Sequence, residues 1–167
     1  RRRQYYLHNF LASQPDLNFH NPIVQEAVLD ACRFWLERGV DGFRLDTANM
    51  YFHDAELRNN PPLDPGQKVN GIPEQNPYGL QQPIYNITRP ENLDFLKLLR
   101  GLMDEYPATT TVGEVGAVLD MYSTLKDYTE EGERLHMAYS FDFLDREFSA
   151  DFIKQVCERM EGNQNSW

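Results

Sequence analysis

Gly42-Phe43-Arg44-Leu45-Asp46-Thr47-Ala48 reads as a short strand ending in a carboxylate. Side chains alternate across a strand, so Gly42, Arg44 and Asp46 share one face while Phe43 and Leu45 take the other. One face is apolar and suited to lie under helices; the opposite face carries a cation and an acid. Far downstream, Thr110 to Val115 repeats the arrangement: Thr110, Val112 and Glu114 share a face, and Thr111, Gly113 and Val115 share the other. Both acids stand at the C-terminal ends of their strands.

Outward from these strands the chain alternates helix with strand. Asn21-Pro22 is a helix start, an asparagine cap followed by proline at the first helical position. Ile23, Ala27, Ala31, Phe34 and Trp35 then recur at helical spacing until Gly39. From about 52 to 89 the composition turns to Asn, Pro, Gly and Gln, as in Asn59-Asn60-Pro61-Pro62, which reads as a long surface loop. Leu93, Leu96, Leu99, Leu102 and Met103 form a helical stripe ahead of Pro107 and the second acid-bearing strand. A third unit follows, with a short helix through Leu125 and Tyr128, a strand over Leu135 to Leu144, and a last helix over Ala150 to Met160 that Gly162 ends.

This alternation implies an α/β fold with a parallel sheet and crossover helices. A doubly wound sheet and a (β/α)8 TIM barrel both satisfy it. No Gly-x-Gly-x-x-Gly turn follows a strand, which removes support from the dinucleotide-binding version, and barrel enzymes carry their catalytic residues at C-terminal strand ends. Three strands cannot close a barrel of eight, and such barrels typically take about 250 residues. The expectation is therefore a TIM-barrel segment of about three strands, with residues 1–167 forming one partial catalytic domain.

Composition narrows the partners. The chain has 167 residues, 41% hydrophobic and 13% aromatic, with a formal net charge of -10. An acidic chain is repelled by nucleic acid and by an anionic membrane surface, so neither is expected as a partner; a neutral ligand fits better. Cys32 and Cys157 lie in helical patterns away from any metal-ligand spacing and read as buried free thiols. His8, His20, His53 and His136 show no paired metal spacing. Arg1-Arg2-Arg3 opens as a signal peptide would, but Gln4, His8, Asn9 and Gln14 interrupt any apolar core behind it. No stretch is long enough to span a membrane. No cofactor is expected, and a cytoplasmic location is.

Neighbouring parallel strands lie roughly 4.8 Å apart, so acids at adjacent strand ends would stand about 5 Å apart, the separation of a retaining glycosidase. Arg44, on the face of Asp46, favours that residue's anion, and the anion in turn favours a proton on Glu114. A structural Arg44–Asp46 pair satisfies the same spacing. Asp16 and Asn18 read as a turn after Pro15, and Glu130-Glu131-Gly132-Glu133 as a solvated turn.

Gln14-Pro15-Asp16-Leu17-Asn18, Gly42 to Ala48 and Gly113 to Gly116, in this order, resemble three segments of the α-amylase superfamily, glycoside hydrolase family 13. The similarity is strongest to the bacterial α-glucosidase and oligo-1,6-glucosidase branch. The resemblance implies Asp46 as nucleophile, Glu114 as general acid/base, and Arg44 as the residue that contacts and orients the nucleophile. It also implies that Thr47, directly after the nucleophile, favours α-1,4 linkages, and that Phe141 borders the acceptor subsite. Asn49-Met50 stand where typical α-amylases carry a Lys-His pair, which disfavours starch-chain hydrolysis. The family's upstream Asp-x-x-x-Asn-His segment and downstream His-Asp segment are absent from these residues, so the segment alone should lack a complete site. The implied activity is that of a retaining α-glucosidase taking terminal α-1,4-linked glucose from maltose-type substrates. A glucosyl-transferring or sucrose-isomerising relative is the near alternative, and a non-catalytic transporter partner subunit the distant one.

Overall fold

The computed structural model describes residues 4–73, 75–144 and 148–161. Helix α1 (Pro22–Leu36) leads into strand β1 (Gly42–Leu45), α2 (Pro90–Met103) into β2 (Thr110–Glu114), and α3 (Met121–Thr129) into β3 (Met137–Tyr139); α4 (Ala150–Glu161) follows. The three strands form one parallel sheet in the order β1-β2-β3, with Arg44 opposite Val112 and Leu45 opposite Gly113. Helices α2 and α3 supply the crossovers that parallel pairing requires.

Local chemistry sets the element ends. The Asn21 side chain accepts from the Ile23 N–H at 3.1 Å, Pro22 follows it, and Gly39, at φ +85°, turns the chain out of α1. Strand β1 starts on a glycine because a Cβ at Gly42 would stand 2.0 Å from the Thr110 carbonyl oxygen. The apolar sheet face then meets the helices. Leu45, Val115 and Leu135 pack with Leu96, Leu99, Leu102 and Met103 of α2 and with Leu125 and Tyr128 of α3, all buried. Each such leucine contributes roughly 1.5–3 kcal/mol of burial. A second cluster, Phe19, Phe52 and Phe95, lies beside it, with Tyr51 stacked on Phe19 at 5.1 Å between centroids.

Helix α1 differs, because only Leu36 is buried within it. Leu29 and Cys32 pack on the core, but Ile23 and Trp35 remain 72% and 52% exposed, so part of its apolar surface is left open among the described residues. Strands β1 and β3 each pair on one side only among those residues. An open edge and open apolar surface together mark surfaces built to be packed against.

The described residues of 52–89 contain one 3-10 turn, Pro77–Leu80, and one antiparallel bridge, Pro62 to Gln81. The segment is nonetheless pinned. Buried Asp54 accepts from Arg58 Nε at 3.0 Å and Nη2 at 2.5 Å, with Arg89 at 3.5 Å, and these hydrogen bonds hold its carboxyl well below the usual range.

Two expectations change. The third strand covers Met137–Tyr139 rather than Leu135 to Leu144. Ser140 Oγ donates to Asp142 Oδ2 at 2.8 Å and accepts from the Asp142 N–H at 3.3 Å, a local turn that competes with strand pairing. Asp142–Leu144 then forms a 3-10 turn, so Phe141 and Asp142 lie beyond the strand. Cys157 is free but exposed, on the outer side of α4 beside buried Val156; Cys32 is free and half-buried, its thiol pushed up by burial. Arg1-Arg2-Arg3 and Gly162 lie outside the described residues.

Candidate active site

Because β1 and β2 pair directly, their C-terminal ends bring Asp46 and Glu114 together. Arg44 joins them. Its Nη1 bonds Asp46 Oδ1, while Nη2 reaches Glu114 Oε2 at 2.8 Å and donates to the Tyr139 hydroxyl at 2.8 Å. One guanidinium thus links all three strands. The Arg44 hydrogen bond is the main cause that pulls Asp46's carboxyl below the ordinary range, and burial opposes it. Arg44 therefore serves both acids, where the sequence pattern assigned it to Asp46 alone.

The acids differ in setting. The Asp46 side chain is 74% exposed and Glu114's only 16%. Glu114 Oε2 also accepts the Thr47 backbone N–H at 3.2 Å. Thr47 holds φ +43°, a left-handed conformation that a β-branched residue adopts only under constraint. The hydrogen bond supplies part of that constraint. Two carboxyls bridged by one guanidinium stand close together, which fits the roughly 5–5.5 Å separation of a retaining glycosidase better than the roughly 6.5–9.5 Å an inverting one keeps for its water. The arrangement suits direct attack by one carboxylate.

Arg44, Asp46, Thr47, Glu114 and Phe141 all line one cavity of about 1100 Å³, together with Tyr51, Ile72 and Tyr78. Its apolar walls and few converging polar groups are those of a small-molecule site. Phe141 stands between two glycines: a Cβ on Gly71 or Gly116 would fall 2.4 or 2.2 Å from its ring. The long loop thus reaches the site through Gly71. Asp16 accepts from Asn9 Nδ2 at 2.6 Å and Asn18 Oδ1 from the His20 N–H at 3.2 Å, a local turn at the cavity rim.

Two residues of this site, Tyr139 and Tyr51, were absent from the sequence reading, and a third, Asn49, entered it only as a departure from the Lys-His pair. Tyr139 receives Arg44's second arm, and period-two alternation from Met137 signals its inward direction. The Tyr51 hydroxyl donates to the Asp46 carbonyl at 3.3 Å; burial drives its phenol pKa well upward. Asn49, fully buried, bonds Gly116 beyond Glu114. The histidines stand elsewhere: His20 Nε2 meets the His53 carbonyl at 2.7 Å, and His136 Nδ1 meets Thr111 Oγ1 at 3.0 Å. Burial lowers the pKa of both His53 and His136. Among the described residues no group of three His, Cys, Asp or Glu side chains gathers to hold a metal.

A family model described as "Alpha amylase, catalytic domain" matches residues 1–165. The chain belongs to the alpha-amylase family. That family's catalytic domain is a (β/α)8 barrel, so the three parallel strands are part of such a barrel. The chain is 59% identical over 144 residues to a probable alpha-glucosidase of Rhizobium meliloti, covering 86% of this chain and 26% of that protein. It is 37% identical over 152 residues to Maltase A2 of Drosophila melanogaster, with 86% and 26% covered. The crystal structure of the alpha-glucosyl transfer enzyme XgtA superposes with a TM-score of 0.90 at 50% identity, covering 98% of this chain and 30% of that one. The chain spans about a quarter of the length of these curated relatives. The resemblance to the α-glucosidase branch of the family is borne out by these relatives.

Proposed function

We propose that this chain is a segment of a retaining α-glucosidase barrel that removes terminal α-1,4-linked glucose from short maltose-type substrates. Residues 1–167 would lie within one catalytic domain, with the loop at 52–89 forming one wall of its pocket. The observation that carries the reading is the bridging of Asp46 and Glu114 by Arg44, with the Thr47 N–H on Glu114.

Asp46 is the nucleophile in this reading: exposed to the cavity, held anionic by Arg44, it attacks the anomeric carbon. The glycosidic C–O bond breaks as Glu114 gives its proton to the departing oxygen, leaving a covalent glycosyl–Asp46 ester. Glu114, now a carboxylate, takes a proton from water. The resulting hydroxide attacks the same carbon, and Asp46 leaves as the anion. Arg44 offsets the charge that moves from Asp46 to Glu114, since it touches both. A fluorinated glucosyl inactivator followed by peptide mapping tests this in the longer chain that carries the segment. The label belongs on Asp46; a label on another residue overturns the assignment.

A second reading is favoured by the likeness to XgtA. A sugar hydroxyl in place of water on the same intermediate gives transfer instead of hydrolysis, and the same two acids serve both. Product analysis with and without added maltose separates the two. Retention of both carboxylates opposes a non-catalytic role. A cytoplasmic location belongs to the same proposal, and the two free thiols are compatible with a reducing compartment.

A further inference from the structure

We infer that Asn49 is a positioning residue for Glu114 and acts through the backbone of Gly116; the inference rests on the glycosidase reading above. Asn49 has no exposed surface. Buried amides persist where partners meet them, and here every polar atom of the side chain is met. Nδ2 donates to the Gly116 carbonyl at 2.8 Å and to Thr88 Oγ1 at 2.8 Å, while Oδ1 accepts from the Gly116 N–H at 3.4 Å. The amide therefore pairs with Gly116 as a neighbouring strand would.

This pairing comes where the backbone ladder stops. The β1–β2 register runs to Leu45 opposite Gly113, and the Ala48 N–H then donates to the Glu114 carbonyl at 2.8 Å. Past that point the chain turns, with the Met50 N–H on the Thr47 carbonyl at 2.8 Å. The next rung is supplied by the Asn49 side chain. It fixes the chain two residues after Glu114, where Gly116 is also wedged against Phe141.

Asn49 also lies inside the turn that begins at Thr47, where φ is +43°, and that the Met50 N–H closes. It thereby constrains donor and acceptor of the Thr47 N–H to Glu114 bond at once. Its own carbonyl accepts the Thr88 N–H at 2.6 Å, which ties the exit of the long loop to the same point. Loss of this amide would let the Glu114 carboxyl drift, and small misplacements of a proton donor are costly to rate.

The test compares kcat/KM for maltose, whose leaving group needs a proton, with that for 4-nitrophenyl glucoside, whose leaving group does not, in the longer chain. Asn49→Ala should lower the maltose value about 10- to 100-fold more than the aryl value. Asn49→Ser, smaller but polar, should show the same direction and stands in if the alanine variant does not fold. Leu102→Val, a core change away from the cavity, should lower Tm without moving the ratio. Glu114→Gln is the control for the parent reading: if it treats both substrates alike, the glycosidase assignment itself fails. If Glu114→Gln separates the substrates but the Asn49 variants lower both equally, or neither, Asn49 is only structural and the inference is overturned.

Discussion

Replacement of Glu114 by glutamine isolates the proton from the geometry. The Glu114 oxygen that accepts from Thr47 N–H at 3.2 Å and from Arg44 Nη2 at 2.8 Å is the same atom, Oε2, so a glutamine carbonyl fits that position and keeps both bonds. Its amide nitrogen then takes the place of the other oxygen and cannot give a proton to the leaving group. Hydrogen-bond losses should stay within about 1 kcal/mol. What disappears is proton donation to the leaving oxygen, which contributes roughly 10²–10⁴ in rate, or about 2.7–5.4 kcal/mol at 1.36 kcal/mol per tenfold. Steady-state kcat/KM on maltose should fall by that factor, whereas an activated aryl glucoside should lose far less in its first step. Added azide, which needs no general base, should restore turnover of the trapped glucosyl enzyme and give a glucosyl azide of retained configuration. A maltose loss below about tenfold, or azide without effect, would refute general acid/base catalysis by Glu114.

Further outcomes follow from the neighbours. Arg44→Lys leaves a point charge that cannot serve Asp46, Glu114 and Tyr139 together. The reaction needs the Asp46 anion, so rate is lost as pH falls through its folded pKa, which Arg44 holds below the ordinary range. The acid limb of kcat/KM should move to higher pH in the variant; an unmoved limb would argue against the role. The same depression makes Asp46 a stabilising group above its unfolded pKa of about 3.9, a contribution that vanishes as pH drops through the folded value and that Arg44→Lys should reduce. Thr47→Val keeps the shape and removes the hydroxyl beside the nucleophile, so the maltose-to-isomaltose ratio should fall by roughly 1–3 kcal/mol in relative transition-state binding; a ratio that holds or rises discards the linkage assignment. Hydrogen exchange on the isolated 167-residue polypeptide should show little cooperative protection in β1 and β3, each unpaired on one edge among the described residues. Strong protection across all three strands would show that the segment packs as an independent domain and overturn this expectation.

Much of the fold was legible because it depends on short-range pattern. Alternation across Gly42 to Asp46 and Thr110 to Glu114 identified both strands and their inward faces, and the Asn21-Pro22 start and the leucine stripe gave α1 and α2. The third strand was overextended because its apolar run continues through Phe143 and Leu144, while the Ser140–Asp142 turn that stops it is a side-chain effect. Composition identified the irregular segment at 52–89 but not its anchor, since Asp54 is held by Arg58 and by the distant Arg89. Thr47's left-handed backbone was illegible for the same reason. A β-branched residue after a strand gives no local signal for it, and the group that receives its N–H, Glu114, is 67 residues away. Tyr139's meeting with Arg44 required knowing that β3 follows β2 in the sheet.

The chemistry requires two carboxyls of opposite protonation at close range, and nothing in their own sequence context distinguishes an aspartate from a glutamate strongly enough. The distinction comes from what surrounds them. Asp46 ends an edge strand of the described sheet and projects into the cavity with most of its side chain exposed, free to reach an incoming carbon. Glu114 ends the central strand, covered on one side by the strained Thr47 peptide and tied through Gly116 to a buried amide. The exposed acid has the open approach that a nucleophile needs, and the confined one can hold its line to one oxygen as a proton shuttle must. Arg44, standing between them and touching both, offsets the negative charge as it passes from one to the other. The parallel pairing of β1 with β2 is therefore the feature on which the proposed division of labour depends. A one-residue slip in that register would send either Asp46 or Glu114 to the helix-covered face.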